Sequence, residues 1–364
     1  EAYKFVDQLE KAGQQYWQIL PLGPTGYGDS PYQSVSTFAG NPYFIDLEEL
    51  IQKKLLTREE CEACDWGGSE SYVDYEKMYQ SRYKLLRKAY EKADLKNDPV
   101  YEAFLEEEKD WLQDYCLFMA VKNAQKGICW IDWPEELKDR HSVAVKKAEK
   151  ELAEEVEFYC FQQYCFTIQW RKLKKYANTK GIQIIGDVPI YVALDSADAW
   201  ANPEMLQFDE EYNPISVAGC PPDAFSATGQ LWGNPLYDWK KLKKDNYGWW
   251  VKRMTHCLEL YDVIRIDHFR GFDEYYAIPF GDKTAENGKW EKGPGMDLFH
   301  TLDSKIKELR VIAEDLGFLT DSVRDMLKES GYPGMKVLQF AFDGSEGSSY
   351  LPYKYEHNCV VYTG

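Results

Sequence analysis

No uninterrupted apolar run approaches the roughly 20 residues that a membrane-spanning helix needs. A basic-then-apolar leader is also missing at the start, Glu1. A soluble chain with no membrane partner is therefore expected, most simply as part of a longer protein. Positive charge is scarce: 43 Lys and Arg stand against 61 Asp and Glu, a net charge of −18. That balance disfavours nucleic acid, whose phosphates attract the opposite sign, and points to a neutral or cationic ligand. Regular cysteine spacing is absent as well. The nine cysteines include one CxxC, Cys61–Cys64, with no second pair to complete a zinc site. Free thiols in a reducing cytoplasm are the expectation. There is no glycine-rich anion loop of recognised spacing, no internal repeat and no low-complexity tract. His141, His256, His300 and His357 have no partner at motif spacing and read as structural or solvated.

What is present is a chain of 364 residues, 44 % hydrophobic, ample for a large core. Aromatics make up 15 %, and an excess of Trp and Tyr suits ligands bound by stacking and hydroxyl hydrogen bonds, sugars among them. Strands, loops and helices alternate. Residues 1–13 read as a helix stopped by Gly13, and Tyr16–Leu22 as a buried strand followed by a Gly- and Pro-rich loop at 23–32. From about 47 to 160, Tyr75, Met78, Tyr79, Arg82, Leu86 and Tyr90 recur at helical spacing, as do Trp111, Tyr115, Phe118 and Met119. That segment reads as an inserted helical subdomain, 47–160, between barrel parts at 1–46 and 161–364. A continuous helical pattern runs from Ser142 to Asn178. Residues 188–250 form a long irregular excursion, of a size usually functional. Strands buried on both faces imply a parallel sheet. Six are expected, near residues 16, 182, 262, 311, 336 and 359, the fifth running from Met335 to Asp343.

Three of these strands end in acid: Asp187, Asp267 and Glu314. A parallel sheet puts all its carboxyl ends on one side, and in a barrel that rim is where active sites sit. In Val263–Asp267 alternate side chains share a face, so Arg265 lies beside Asp267 and should hold it ionised with a lowered pKa. Arg265–Asp267 alone would also pass for a structural ion pair. Three acids in equivalent places favour one site. Two facing carboxyls suit glycosidic-bond cleavage, with Asp267 as nucleophile and Glu314, beside apolar Ile312, as the acid with a raised pKa. That assignment predicts a separation of ~5–5.5 Å and retention of configuration. Phosphate-using barrels are the main competitor, but the chain lacks their Gly-rich anion loop, and a divalent metal held by Asp187, Asp267, His268 and Glu314 is a further alternative.

Five stretches carry a resemblance. They are Gly28–Gln33, Gly186–Ala193, Pro221–Pro235, Arg265–Gly271 and Ala313–Gly317. In this order they resemble the signatures of the 4-α-glucanotransferases (amylomaltases, or disproportionating enzymes) of glycoside hydrolase family 77. The resemblance implies an α/β fold, a (β/α)8 TIM barrel with inserted helical and loop subdomains, no cofactor and no metal. It implies double displacement through a covalent glucosyl-enzyme, acting on α-1,4-glucans and maltooligosaccharides. Asp267 falls on the family's nucleophile and Glu314 on its acid/base. Ser30, Tyr32, Asp187, Gln230, Trp232, Arg265 and His268 fall on sugar-contacting positions. Tyr27 matches a more distant glucan-contacting aromatic, and Asp343 is a further match. Phe225 and Trp232 in the 188–250 loop are expected to dry the site and stack the acceptor. In the family a first barrel strand precedes the position of Glu1, and the chain continues past Gly364 into His-Asp-Asn. The first and last barrel strands and a third catalytic carboxylate are therefore expected to be missing, leaving this chain alone unstable or inactive. An α-amylase-like hydrolase and a non-catalytic glucan-binding protein are the alternative functions.

Overall fold

The computed structural model describes residues 1–363 apart from Tyr27, Glu70, Ala224, Phe225, Phe318, Asp343 and 345–347. The strands are, in chain order, β1 (Tyr16–Ile19), β2 (Gln183–Val188), β3 (Ser216–Cys220), β4 (Gln230–Pro235), β5 (Val263–Ile266), β6 (Glu274–Pro279), β7 (Lys289–Lys292), β8 (Val311–Ala313), β9 (Gly334–Val337) and β10 (Cys359–Tyr362). The chain divides into two compact units. One holds 1–21, 176–194 and 203–364, and the other holds 22–175 and 195–202.

The first unit carries all the strands. β1, β2, β5 and β8 pair side by side in parallel, and β9 and β10 form a parallel pair. All six expected strands thus exist and run parallel. Among the described residues they form a four-strand sheet and a two-strand sheet, with no hydrogen-bonded closure into a barrel. Ile185, Val263, Ile312 and Met335 meet on one face as a buried cluster, with Leu316, Val360 and Tyr362 packed against it. Period-2 alternation puts residues 185 and 187, 263 and 265 on that same face, so the apolar floor leads directly to the polar strand ends. Helix Gly248–Leu260 packs against β5. Helix Asp321–Ser330 starts at a Thr320 cap and stops at left-handed Gly331, as its sequence indicates.

Three expectations change. The strand expected from Met335 to Asp343 ends at Val337, and Leu338–Phe342 turns into a short 3-10 helix. The helical run from 142 breaks at Leu152, so that Ser142–Glu151 and Ala153–Thr179 are separate helices. Leu152 keeps the helical N–H bond to Ala148 while its backbone opens to φ −108°, ψ 19°, a break that leaves the side-chain periodicity intact. The excursion after β2 is also more regular than its Gly and Pro content suggests. It contains β3 and β4, which join β6 and β7 from the segment after β5 in an antiparallel sheet of order β4-β3-β6-β7, around Val217, Tyr276, Ile278 and Ala285.

The second unit is helical. Tyr75–Lys92, Pro99–Glu107 and Leu112–Ala124 bury Leu85, Leu86, Phe104, Tyr115 and Phe118. Asp98 caps Pro99–Glu107 through the N–H groups of Val100 and Tyr101, and accepts a hydrogen bond from Tyr164.

Candidate active site

Strand register brings the acids together. Asp187 pairs with Arg265 across β2 and β5, and Ile266 pairs with Ala313 across β5 and β8. Asp267 and Glu314 each stand one residue beyond that last pair. The ladder continues past both: Asp267 N–H donates to Val188 O at 3.0 Å, and Glu314 N–H to Ile266 O at 3.0 Å. Neighbouring strands ending level is thus what makes one site of residues 47 apart in sequence.

Arg265 sits between two carboxylates. Its Nη1 donates to Asp187 Oδ1 at 2.6 Å and to Asp267 Oδ1 at 2.9 Å. This guanidinium fills the position a metal ion shared by the two aspartates would occupy. Asp187 is buried, whereas Asp267 keeps 32 % of its side chain open. Among the described residues Asp267 Oδ2 has no hydrogen-bond partner, leaving it presented for attack. The expectation of a lowered Asp267 pKa is not met. Burial pushes it up and Asp187 adds repulsion, outweighing the opposing pull of Arg265. An arginine shared with a second aspartate neutralises each only in part.

Glu314 is fixed by two backbone donors. His268 N–H bonds Oε2 at 2.8 Å and Leu316 N–H bonds Oε1 at 2.8 Å. Because His268 directly follows Asp267, its peptide ties the second acid to the first. Burial, then the nearby Asp267 charge, pushes the Glu314 carboxyl up to about 7, against the two N–H bonds and Arg265, which lower it. Such an acid holds its proton near neutrality.

His268 makes this turn with a left-handed backbone, φ 53°, rare for a non-glycine residue. Burial and the Arg270 cation lower its pKa to about 3, so the ring is neutral. Its Nε2 is buried without a hydrogen-bond partner, a group that a ligand hydroxyl would satisfy. Trp232 meets the ring edge-on at 4.9 Å between centroids and donates from Nε1 to Gln230 Oε1 at 3.0 Å. Gly271 is required by close approach: a Cβ there would lie 2.9 Å from both His268 Cδ2 and Ile190 Cδ1.

Asp187, Gln230, Trp232, Arg265, Asp267, His268 and Glu314 therefore share the first unit's strand-end cluster. Ser30 and Tyr32 belong to the second unit, where Tyr32 N–H bonds Ser30 Oγ at 3.4 Å. Their loop borders a cavity of about 1080 Å³ lined by Asp29, Tyr43, Tyr75, Tyr79, Tyr83 and Tyr159. Tyr27, Phe225 and Asp343 lie outside the described residues. Sequence reasoning missed Arg270, whose guanidinium lies 4.0 Å from the Trp290 ring centroid, and Arg253. Buried Arg253 donates to the carbonyls of Pro189 and Ile190, holding the chain where it leaves β2. Arg270 stands within the Arg265–Gly271 stretch without a role assigned from it, and Arg253 stands in none of the five stretches.

The family model of the 4-alpha-glucanotransferases, glycoside hydrolase family 77, matches residues 1–364. A 4-alpha-glucanotransferase of Clostridium butyricum is 52 % identical over 364 residues, which cover all of this chain and 75 % of that protein. One of Thermus thermophilus is 48 % identical over 370 residues, covering all of this chain and 73 % of its own length. Among solved structures, an amylomaltase from Streptococcus agalactiae in complex with acarbose superposes with a TM-score of 0.96 at 39 % identity, covering all of this chain and 74 % of that one.

Proposed function

Since the chain belongs to the 4-alpha-glucanotransferases of glycoside hydrolase family 77, we propose the route by which its own residues carry out glucan transfer. Asp267 Oδ2 attacks the anomeric carbon of an α-1,4-glucan while Glu314 gives its proton to the departing 4-oxygen. The C1–O4 bond breaks, the first sugar segment leaves as an alcohol, and the glycosyl group is esterified to Asp267. Glu314, now ionised, takes the proton from the 4-hydroxyl of an acceptor sugar. That oxygen attacks C1, restores the α-linkage and releases Asp267. Two inversions give net retention.

The observation that carries this reading is the unequal treatment of two neighbouring acids: burial raises both, but only Asp267 has a guanidinium bonded to it. Arg265 supports the charge on Asp267, while burial and that very charge keep Glu314 protonated to about pH 7. Asp187, Gln230, Trp232, Arg265 and His268 supply sugar contacts, the buried His268 Nε2 among them. Ser30, Tyr32 and the tyrosine-lined cavity of the second unit suit stacking against glucan, and the same role is proposed for Tyr27. Asp343 is proposed as a further sugar contact and Phe225 as part of the acceptor wall. The helical segment 47–160 is read as an insertion between barrel parts. Nine free cysteines favour a reducing, cytoplasmic setting. Among the described residues no helix is long and apolar enough to cross a membrane.

Maltotriose supplied to the intact protein is expected to yield glucose together with maltooligosaccharides longer than the substrate. Chromatography of the products decides: reducing ends that accumulate without longer chains would replace transfer by hydrolysis.

A further inference from the structure

Arg265 presents its Nη1 to both aspartates, and its Nε faces the other way. There it meets Met335 Sδ at 3.4 Å. A guanidinium is planar and rigid, so fixing Nε fixes where Nη1 can reach. Met335 is itself fixed. Its backbone N–H donates to Asp315 Oδ1 at 2.6 Å, and Asp315 is the residue after Glu314. The fit leaves no slack on this side. Gly334 lies so close to the Asp315 carboxylate that a Cβ there would come within 2.7 Å of Oδ2. Asp315 is 4 % exposed, and Met335 lies in the apolar cluster with Ile185, Val263 and Ile312. Apolar packing places a thioether there, but an aliphatic side chain of that volume would pack as well. Only the sulfur adds a lone pair for the guanidinium.

We infer that Met335 is a positioning residue for the nucleophile: Asp315 sets the Met335 backbone, the Met335 sulfur holds Arg265 Nε, and Arg265 Nη1 is thereby aimed at Asp187 and Asp267 together. This relay joins the two halves of the chemistry. The residue after the acid/base determines, through β9, how the cation beside the nucleophile lies. The inference rests on the transfer route proposed above.

Met335→Leu keeps volume and burial and removes the acceptor, a class of exchange that cores tolerate best. Met335→Gln restores an acceptor at similar reach. Both are made in the intact protein and assayed with maltotriose across the acid range. Met335→Leu is expected to lower kcat about tenfold while KM changes by less, because of the proposed sugar contacts only that of Arg265 is disturbed. Its acid limb should also move to higher pH. The charged and titratable groups facing Asp267 are Arg265 on β5, Asp187 on β2, Glu314 beyond β8 and Cys220 on β3. Of these only Arg265 favours the ionised nucleophile, so a misaligned guanidinium leaves burial and the acids unopposed. Met335→Gln should recover kcat and return the limb toward the parent. A purely structural role would lower thermal stability in both variants and leave the limb in place. Met335→Leu with the parent's kcat and acid limb overturns the inference, as do equal losses in the two variants. If Met335→Leu fails to fold, Met335→Gln decides alone: folded with the parent limb it supports the relay, and folded with a displaced limb it overturns it. Absence of transfer in the parent protein would instead overturn the transfer route itself.

Discussion

Glu314 and Asp267 show how burial and charge divide labour between chemically similar groups. Either acid alone in water would be ionised at neutrality. Here the first keeps a proton to about pH 7, because burial, and then the nearby Asp267 charge, push its carboxyl up. The basic limb of transfer is therefore expected near pH 7, where Glu314 loses the proton it must donate. The acid limb should lie above the ordinary aspartate range, because Asp267 is pushed up and must be ionised to attack. A pH series of kcat/KM checks both. Asp267→Asn and Glu314→Gln should each lower transfer about 10³-fold or more while leaving glucan binding largely intact, measured by isothermal titration. The same shift has a stability consequence. A raised folded-state pKa means that folding favours the protonated form, so this contribution is complete below the ordinary Glu pKa and lost as pH rises to about 7. Glu314→Gln does not titrate. Its melting temperature relative to the parent should climb between about pH 4.5 and about pH 7, and a flat difference would show that Glu314 is not perturbed.

At the level of elements, the site depends on how strands end. Buried runs such as Gln183–Val188 and Val263–Ile266 were legible because two-faced burial leaves nearly unbroken β-branched stretches, and an acid at the end of such a run stands out. The antiparallel sheet was not legible. β3 is Ser-Val-Ala-Gly-Cys and β7 is Lys-Trp-Glu-Lys, exposed along its whole length, so neither carries a core-facing alternation. The Arg265–Met335 contact was invisible for another reason: it depends on how strands of two different sheets pack, bringing together residues 70 apart, which no local pattern encodes. The burial that overrides Arg265 at Asp267 is equally a property of the assembled sheet. Arg253 belongs to this scale. From helix Gly248–Leu260 it holds two carbonyls just beyond Asp187, and Tyr237 OH holds Ile190 O as well, at 2.9 Å. Arg253→Leu leaves buried carbonyls without that donor, at a cost of about 1–3 kcal/mol for each group stranded. A lower melting temperature is expected, together with a raised KM as the segment bearing Ile190 and Tyr191 loses its seat against Gly271 and Trp232. An unchanged melt would mean that the remaining donors suffice.

At the level of the whole molecule, charge does what packing leaves undone. Tyr16, Leu20, Phe342 and Val361, all on the strand-bearing unit, are large apolar residues exposed to solvent. Apolar surface of that kind favours association whenever repulsion is weak. At neutral pH the chain carries −18, and molecules so charged repel one another at low salt. The repulsion is set by the excess of 61 acids over 43 bases, so it fades as carboxylates take up protons and vanishes near the isoelectric point of about 4.8. Light scattering at low ionic strength is therefore expected to show self-association that grows as pH falls toward about 4.8 and reverses on return to neutrality. Added salt at neutral pH should reproduce part of the effect, because screening shortens the reach of the repulsion to about 8 Å at physiological ionic strength. Replacing Leu20 and Phe342 by Ser should blunt the association without altering net charge. Scattering that follows pH equally in that double variant would assign the association to charge neutralisation alone, and not to these apolar groups.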